Sequence, residues 1–204
     1  MAIRAVAFDI GGVLERVAPE EDWLQPWQQR LGLAEPEFTA AMARVDPDRG
    51  IGTGRLPEAA YRQRFAGELG LSSAQADEFI ADMWRWYCGE LDTELTDYAV
   101  SLRPRFRTAI LSNSADGARR EEQARYSFAE LFDLIIYSHE VGLVKPDPRI
   151  YALLCAELNV SPDEVVFLDD VPQNIEAACQ FGLHGLLHQS TPDSIAAINS
   201  LIAA

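Results

Sequence analysis

Two adjacent carboxylates, Asp169 and Asp170, follow directly on the apolar run 165–168, which has the length of a buried strand. Neighbouring carboxylates repel each other, and this repulsion is unfavourable unless a cation lies close by. Asn174 comes shortly afterwards and adds an amide to the same stretch. The pair therefore favours a divalent-cation site over the alternative, which is an unpaired acidic turn.

A third carboxylate, Asp9, ends the apolar run 3–8 and is followed by Gly11 and Gly12. Because glycine has no side chain, a carboxylate beside these residues can contact a ligand with little steric hindrance. Asp9 is thus a candidate ligand-contacting residue. Taken alone, the pattern is equally consistent with an aspartate that merely begins a turn.

Two further strand-end clusters carry groups that suit an anion. Ser112 and Asn113 follow an apolar run, and a hydroxyl with exposed amides at a strand end can hold phosphate oxygens. Lys145 lies between apolar residues and Pro146, where an ammonium group can neutralise charge that develops on a phosphoryl group. Each cluster also has an ordinary explanation, a helix cap for the first and an exposed loop lysine for the second.

Strands and helices alternate over most of the chain. The predicted strands are residues 3–8, 107–111, 134–137, 165–168 and 185–188, and the predicted helices are residues 115–130, 147–158 and 173–181. Such alternation predicts an α/β fold with a parallel sheet covered on both faces. In these sheets ligands bind beyond the carboxyl ends of the strands, which is where all four clusters fall.

The stretch from residue 15 to about residue 91 interrupts the alternation and is predicted to be helical throughout. Residues 46–57 within it are loop-like and rich in glycine and proline. All four tryptophans fall in this insertion, where bulky side chains can fill a small helical interior or stack on a ligand. Arg49 and Arg55 flank the glycine-rich loop and are either solvated arginines or ligands for a second anionic group on a substrate.

The composition excludes several classes of partner. The chain has 204 residues and a formal net charge of -15, so nucleic acid and anionic membranes are poor candidate partners. Its three cysteines have neither metal-ligand spacing nor a disulfide framework. Neither a signal peptide nor an apolar run long enough to span a membrane is evident, and we expect a cytoplasmic protein. The oligomeric state is not predicted.

The order and spacing of the four clusters resemble the four signature motifs of the haloacid-dehalogenase-like superfamily. The matching stretches are FDIGGVL (8–14), LSNS (111–114), GLVKPDPRIY (142–151) and FLDDVPQNIEAA (167–178). The resemblance implies a Rossmann-like parallel sheet core, residues 1–14 and 92–204, with a helical-bundle cap domain of the C1 type inserted at residues 15–91. It also implies a small phosphorylated substrate, with a sugar phosphate as the favoured class.

The same resemblance implies a Mg²⁺ cofactor and its ligands. Asp9, Asp170 and the carbonyl of Gly11 would bind the ion, while Asp169 and Asn174 would support its water shell. Attack of a carboxylate on a dianionic phosphate is repulsive, so a divalent ion at this place is also what the chemistry requires.

The resemblance further assigns the groups that handle the phosphoryl group. Asp9 would attack phosphorus and form an aspartyl-phosphate. Ser112 and the amide of Asn113 would hold the phosphoryl oxygens, and Lys145 would bridge Asp9 and the phosphate. The resulting function is Mg²⁺-dependent hydrolysis of a small phosphomonoester.

The sequence departs from the family pattern at Gly11, where most phosphatases of the superfamily carry a second aspartate that protonates the leaving alcohol. General acid–base catalysis is typically worth about 10²–10⁴-fold. One interpretation is a phosphatase that is slower, or whose acid comes from water or the cap. Subfamilies that resemble bacterial α-glucose-1-phosphatases also carry glycine here and are regarded as phosphatases.

Two alternatives to a phosphatase remain open from the sequence. A 2-haloacid dehalogenase needs no acid, because halide leaves without a proton, but that branch also needs no metal and here Asp169 and Asp170 are retained. Its first motif usually has an aromatic where Gly11 stands and a threonine where Val13 stands. The other alternative is a catalytically degenerate protein that binds phosphorylated ligands without turnover.

Overall fold

The computed structural model describes residues 2–203. Its strands are β1 (Ala5–Phe8), β2 (Glu15–Arg16), β3 (Glu90–Leu91), β4 (Arg107–Ser112), β5 (Leu134–Tyr137), β6 (Val165–Asp169) and β7 (His184–Leu187). Five of them form a parallel sheet in the order β5-β4-β1-β6-β7, and β2 and β3 form a separate antiparallel ribbon. The predicted α/β parallel sheet is confirmed, and the ends of its strands differ from the predicted ends by at most two residues.

Residues 2–203 contain eleven α-helices. Two short 3₁₀ turns lie at Gly50–Thr53 and Pro162–Glu164. The α-helices are α1 (Glu21–Leu31), α2 (Glu35–Val45), α3 (Glu58–Leu69), α4 (Ser73–Cys88), α5 (Thr93–Leu102), α6 (Ala118–Tyr126), α7 (Phe128–Leu131), α8 (Ser138–Val141), α9 (Pro148–Leu158), α10 (Pro172–Phe181) and α11 (Thr191–Ile202). Among residues 2–203, no helix is long and apolar enough to cross a membrane.

Strand β1 lies in the middle of the sheet, and all of its residues are buried. Val6 and Phe8 pack into one core cluster with α5 and the inserted helices, while Ala5 and Ala7 pack into a second cluster with α9. This alternation follows from the two-residue period of a strand whose two faces are both covered. The sheet is therefore a firmly packed base for the loops that leave its carboxyl edge.

One predicted helix is wrong. The stretch 115–130 is two helices, because the backbone of Ser127 adopts the left-handed conformation with φ 54° between α6 and α7. A residue in that conformation ends an α-helix and redirects the chain. By contrast, α9 and α10 begin within one residue of their predicted positions and end where predicted. The helices α5 and α11 were not predicted.

The insertion is a cap of four helices, α1 to α4, as the resemblance implies. The prediction that it is helical throughout is wrong at both ends, where β2 pairs with β3. This ribbon lies where the predicted limits at residues 15 and 91 fall, and the division into two domains stays a prediction. Trp27 and Trp84 are buried in the cap, and Trp23 stacks on Trp86 with ring centroids 5.7 Å apart.

Candidate active site

The carboxyl ends of three adjacent strands meet at one edge of the sheet. Phe8 of β1 lies in register with Ile110 of β4 and Leu168 of β6. The residues that follow these positions therefore emerge side by side, and the Asp9 amide donates a 2.9 Å hydrogen bond to the Leu168 carbonyl. The strand-end clusters that are far apart in sequence thus form one group in space.

Lys145 is the only lysine in the sequence, and it lies at the centre of this group. Its Nζ atom is 2.8 Å from Asp9 Oδ1 and 2.6 Å from Asp169 Oδ2. The side chain of Lys145 is completely buried. A buried ammonium needs carboxylate partners of this kind, so the lysine is a fixed part of the site rather than an exposed loop residue.

Asn113 holds the backbone of Lys145 in place. Its Nδ2 group donates to the Lys145 carbonyl at 2.9 Å, and its Oδ1 atom accepts from the Lys145 amide at 2.7 Å. This two-sided contact was not predicted, since the sequence assigned only the backbone amide of Asn113 a role. An asparagine side chain offers one donor face and one acceptor, which matches a neighbouring peptide group.

Asp169 is fully buried and surrounded by donors. Its carboxylate accepts from Lys145 Nζ, from the Val171 amide at 2.8 Å and from Asn174 Nδ2 at 3.0 and 3.1 Å. Asn174 is itself fixed because its carbonyl accepts a 2.8 Å hydrogen bond from the hydroxyl of Tyr151. Asp169 and Asn174, the two residues predicted to support the water shell of the ion, are therefore hydrogen-bonded directly to each other.

The carboxylates of Asp9, Asp169 and Asp170 each offer an oxygen within 4.8 Å of the others. Burial raises the pKa of Asp9 to about 7. The Lys145 ammonium lowers this pKa, and the negative charge of Asp169 raises it further. Burial and the neighbouring Asp169 also raise the pKa of Asp170. Three carboxyl groups share the single ammonium of Lys145, so a divalent cation with hard oxygen ligands fits the charge and the donor set.

The two glycines after Asp9 have different surroundings. Gly12 has φ +76°, and a Cβ atom there would lie 2.3 Å from Asp170 Oδ2, so only glycine fits. A Cβ atom on Gly11 would meet nothing within 4 Å. The position that carries the second aspartate in most phosphatases of the family is therefore open space here.

A cavity of about 300 Å³ lies over these groups. Core residues Asp9, Ser112 and Asp170 form part of its wall, and Trp86 and Tyr87 of the cap helix α4 form another part. Ser112, which is predicted to bind phosphoryl oxygens, is buried at the end of β4. The space is of the size that small ligands occupy in proteins.

Sequence reasoning missed two buried glutamates that line the same cavity, Glu15 and Glu122. Neither carboxylate oxygen of Glu15 has a hydrogen-bond partner among residues 2–203, and burial, with a further contribution from Glu122, raises its pKa to about 10. Glu122 accepts a hydrogen bond from the Tyr137 hydroxyl, and burial raises its pKa to about 7. Glu15 directly follows the apolar pair Val13–Leu14, which was a weak signal of burial.

The fold and the four motifs define the class of protein. The family model for haloacid dehalogenase-like hydrolases matches residues 3–182, and the chain belongs to that family. Its parallel core with a helical cap is the arrangement that this membership implies.

Two relatives that match most of the chain carry different names. The chain is 33% identical over 217 residues to bifunctional epoxide hydrolase 2 of Mus musculus, covering 96% of this chain but 38% of that protein. It is therefore similar to well under half of that longer relative. It is also 24% identical over 193 residues to D-ribitol-5-phosphate phosphatase of Bacteroides thetaiotaomicron, covering 88% of this chain and 89% of that one.

A solved structure shares the fold. It is the HAD family enzyme bt-2542 of Bacteroides thetaiotaomicron in complex with magnesium and inorganic phosphate, with a TM-score of 0.75 and 18% identity. The match covers 92% of this chain and 95% of that chain. At this identity the likeness shows the common fold of core and cap.

Proposed function

We propose that the protein is a Mg²⁺-dependent phosphatase that hydrolyses a small phosphomonoester through an aspartyl-phosphate on Asp9. The observation that carries the proposal is the position of Lys145 Nζ between Asp9 and Asp169, whose carboxylate oxygens lie within 4.8 Å of one of Asp170. This arrangement places a nucleophilic carboxylate, a fixed ammonium group and an excess of negative charge at one site. It suits an electrophile that is itself anionic and needs charge neutralisation.

In the proposed site Asp9, Asp170 and the carbonyl of Gly11 bind Mg²⁺, and Asp169 and Asn174 support its water shell. Bound Mg²⁺ would neutralise phosphate charge and orient the phosphoryl group. Asp169 accepts hydrogen bonds from protein donors on both oxygens, which leaves Asp9 and Asp170 as the carboxylates better placed to bind the ion. The donor set is entirely oxygen, as Mg²⁺ prefers.

Asp9 attacks phosphorus while Lys145 holds its carboxylate and offers positive charge to the phosphoryl oxygens. Ser112 and the amide of Asn113 bind those oxygens. The ester P–O bond breaks as the bond to Asp9 forms, and the leaving alkoxide takes a proton from water. A second water then attacks phosphorus of the aspartyl-phosphate, which releases inorganic phosphate and regenerates Asp9. Because Asn113 fixes the backbone of Lys145 through its side chain, the ammonium needs little reorganisation during the reaction.

The similarity to a relative named D-ribitol-5-phosphate phosphatase supports a sugar or polyol phosphate as substrate. The cavity beside Asp9 is bounded by the aromatic residues Trp86 and Tyr87, which suit the carbon skeleton of such a compound. The retained pair Asp169 and Asp170 favours this function over the metal-free dehalogenase.

The test is release of phosphate from p-nitrophenyl phosphate by the purified chain, with and without Mg²⁺. We expect Mg²⁺-dependent turnover that Asp9→Asn abolishes and Asp97→Asn retains, since Asp97 is an exposed residue of α5. Metal-free release of chloride from 2-chloropropionate would replace the proposal with the dehalogenase. Silence in both assays, together with tight binding of a phosphate analogue, would establish the degenerate binding protein instead.

A further inference from the structure

A second and larger cavity, of about 570 Å³, adjoins the one over Asp9. The two share Asn113 and Tyr87 in their walls, and Lys145 lines the larger one while its Nζ atom contacts Asp9. A substrate whose phosphate lies beside Asp9 and Lys145 therefore has room to extend into the larger cavity. Its volume falls within the range that accommodates metabolite-sized ligands.

The far wall of the larger cavity is the cap loop, residues 46–57, and it carries Arg49 and Arg55. Both side chains are exposed. Within residues 2–203 most arginines form ion pairs with a carboxylate, but neither Arg49 nor Arg55 does. In a chain with a net charge of -15, two guanidinium groups at one cavity that have no ion-pair partner can attract an anionic group of a ligand.

Within residues 2–203 the acidic residues of the cap loop do not form ion pairs with these arginines. The Asp46 carboxylate accepts hydrogen bonds from the amides of Gly50 at 2.8 Å and Ile51 at 2.9 Å. Asp48 contributes its backbone carbonyl, which accepts from Arg55 Nη2 at 3.0 Å. Both aspartates line the cavity, yet no carboxylate oxygen of either lies within ion-pairing distance of a guanidinium group.

The conformation of the cap loop is held by specific contacts. Arg49 has φ 49° and ψ 40°, a left-handed conformation that is unfavourable for a residue with a side chain. The loop also contacts the core, because the Ser138 hydroxyl donates to the Gly52 carbonyl at 2.7 Å and the Asp116 amide donates to the Ile51 carbonyl at 3.2 Å. An unfavourable backbone conformation that the surroundings maintain is often found at binding sites.

We propose that Arg49 and Arg55 bind a second anionic group, a carboxylate or a phosphate, at the end of the substrate far from the phosphate that is cleaved. Guanidinium groups bind either anion through paired hydrogen bonds, and the remaining free N–H groups of both arginines can do so here. The substrate class is then a small phosphomonoester with an anionic tail. This inference rests on the proposed phosphatase function and makes its substrate class more specific.

The test compares matched alkyl phosphates that differ only in the tail. Hydroxyalkyl phosphates are the neutral reference, and carboxyalkyl phosphates and alkane bisphosphates carry the two anions, each with three-carbon and five-carbon spacers. We expect the wild type to prefer an anionic tail by about 10- to 100-fold in kcat/KM, as charged hydrogen bonds allow. The double variant Arg49→Gln/Arg55→Gln should lose that preference, mainly through a higher KM for the tailed substrates.

Arg105→Gln is the matched control, because Arg105 is another exposed arginine without an ion pair and precedes the opposite, amino-terminal end of β4. It should keep the wild-type preference. The anion that is preferred identifies the tail as carboxylate or phosphate. The inference is overturned if p-nitrophenyl phosphate is hydrolysed but no tail is preferred, or if the preference survives in the double variant. Failure to hydrolyse any phosphate ester with Mg²⁺ would instead reject the proposed function, and this inference with it.

Discussion

The site around Asp9 has two sides that bury carboxyl groups in opposite ways, a charged wall beside Lys145 and a neutral wall that contains Glu15. On one wall Asp169 accepts hydrogen bonds from Lys145, Asn174 and a backbone amide. On the other wall Glu15 is equally buried, but neither of its oxygens has a partner within residues 2–203. Both carboxyl groups are fully buried, so the difference reflects the groups beside each carboxyl rather than the depth of burial.

The comparison shows that burial alone does not create a charged site. A carboxyl group that is buried without donors stays protonated, and the pKa of Glu15, raised to about 10 by burial, makes it neutral at pH 7. A carboxyl group that is buried against an ammonium can remain charged. The charged groups of the site are therefore concentrated on the wall that contains Lys145, which is where a divalent ion would be attracted.

The largest expected effect comes from removing the ammonium group of Lys145, which only one of the two walls contains. Lys145→Met leaves Asp9 and Asp169 without their ammonium partner, and we expect kcat for p-nitrophenyl phosphate to fall by about 10²–10³-fold. Breaking a buried ion pair should also lower the free energy of unfolding by about 3–5 kcal/mol in the absence of Mg²⁺. Steady-state kinetics and urea unfolding measure the two effects.

Arg105→Met provides the control for the Lys145 substitution, because it removes a positive charge from an exposed position of the core. If Lys145→Met had the same turnover and stability as the wild type, the ammonium would not be needed at this wall. The proposed difference between the two walls would then be wrong.

The next prediction tests whether the missing carboxyl group at Gly11 limits turnover. Gly11→Asp adds a carboxyl group where a Cβ atom meets no neighbour, so the substitution should be tolerated. We expect turnover of alkyl phosphates, whose leaving groups are basic, to increase about tenfold or more, with a smaller gain for aryl phosphates. Rates across an alkyl and aryl series measure the change in dependence on leaving-group basicity.

Gly11→Asn is the matched variant for that substitution, since it adds similar volume without an acid and should give no such gain. If Gly11→Asp gives no gain with alkyl phosphates, the site already contains an acid, and the idea that the empty position limits turnover is wrong.

The last effect concerns the neutral wall and appears in the pH dependence of stability, where it is small for each pH unit. The pKa of Glu15 rises from 4.5 to about 10 on folding, so between these values the folded chain binds more protons than the unfolded chain. The free energy of unfolding must then fall as the pH rises through this window, by at most about 1.4 kcal/mol per pH unit for one group. Glu15→Gln keeps the shape without the titration and should make this fall shallower.

Urea unfolding between pH 6 and pH 9 measures this slope, with Glu94→Gln, an exposed residue of α5, as the control. Parallel pH dependence in the wild type and Glu15→Gln would mean that Glu15 is not protonated in the folded chain. The two walls would then not differ in the way described.

The charged wall could be predicted from the sequence and the neutral wall could not. Asp9, Ser112 and Asp169 follow apolar runs, and parallel strands bring the ends of such runs to one edge, so local patterns were enough to group them. Glu122 lies in the strongly polar helix α6, so its sequence neighbours do not indicate burial. In the structure it is buried and accepts a hydrogen bond from Tyr137 of the sheet. Burial of this kind depends on tertiary packing that no short window of sequence contains.

The same distinction explains the smaller errors. The break at Ser127 depends on one backbone conformation, and serine is not a residue that usually adopts it. The contact between the Asn113 side chain and the backbone of Lys145 joins two residues that are 32 positions apart. Sequence motifs identified both residues, but the way in which one positions the other became visible only in three dimensions.

The presence of a single lysine has a practical consequence for spectroscopy and chemical modification. A sample labelled with ¹⁵N only in lysine would give one side-chain ammonium resonance, and that resonance would come from the atom between Asp9 and Asp169. Within the given sequence, acylation or methylation of a lysine side chain can occur only at Lys145. Any such modification would change the group that lies between Asp9 and Asp169, and because this amine is buried, the reaction should be slow until the chain opens.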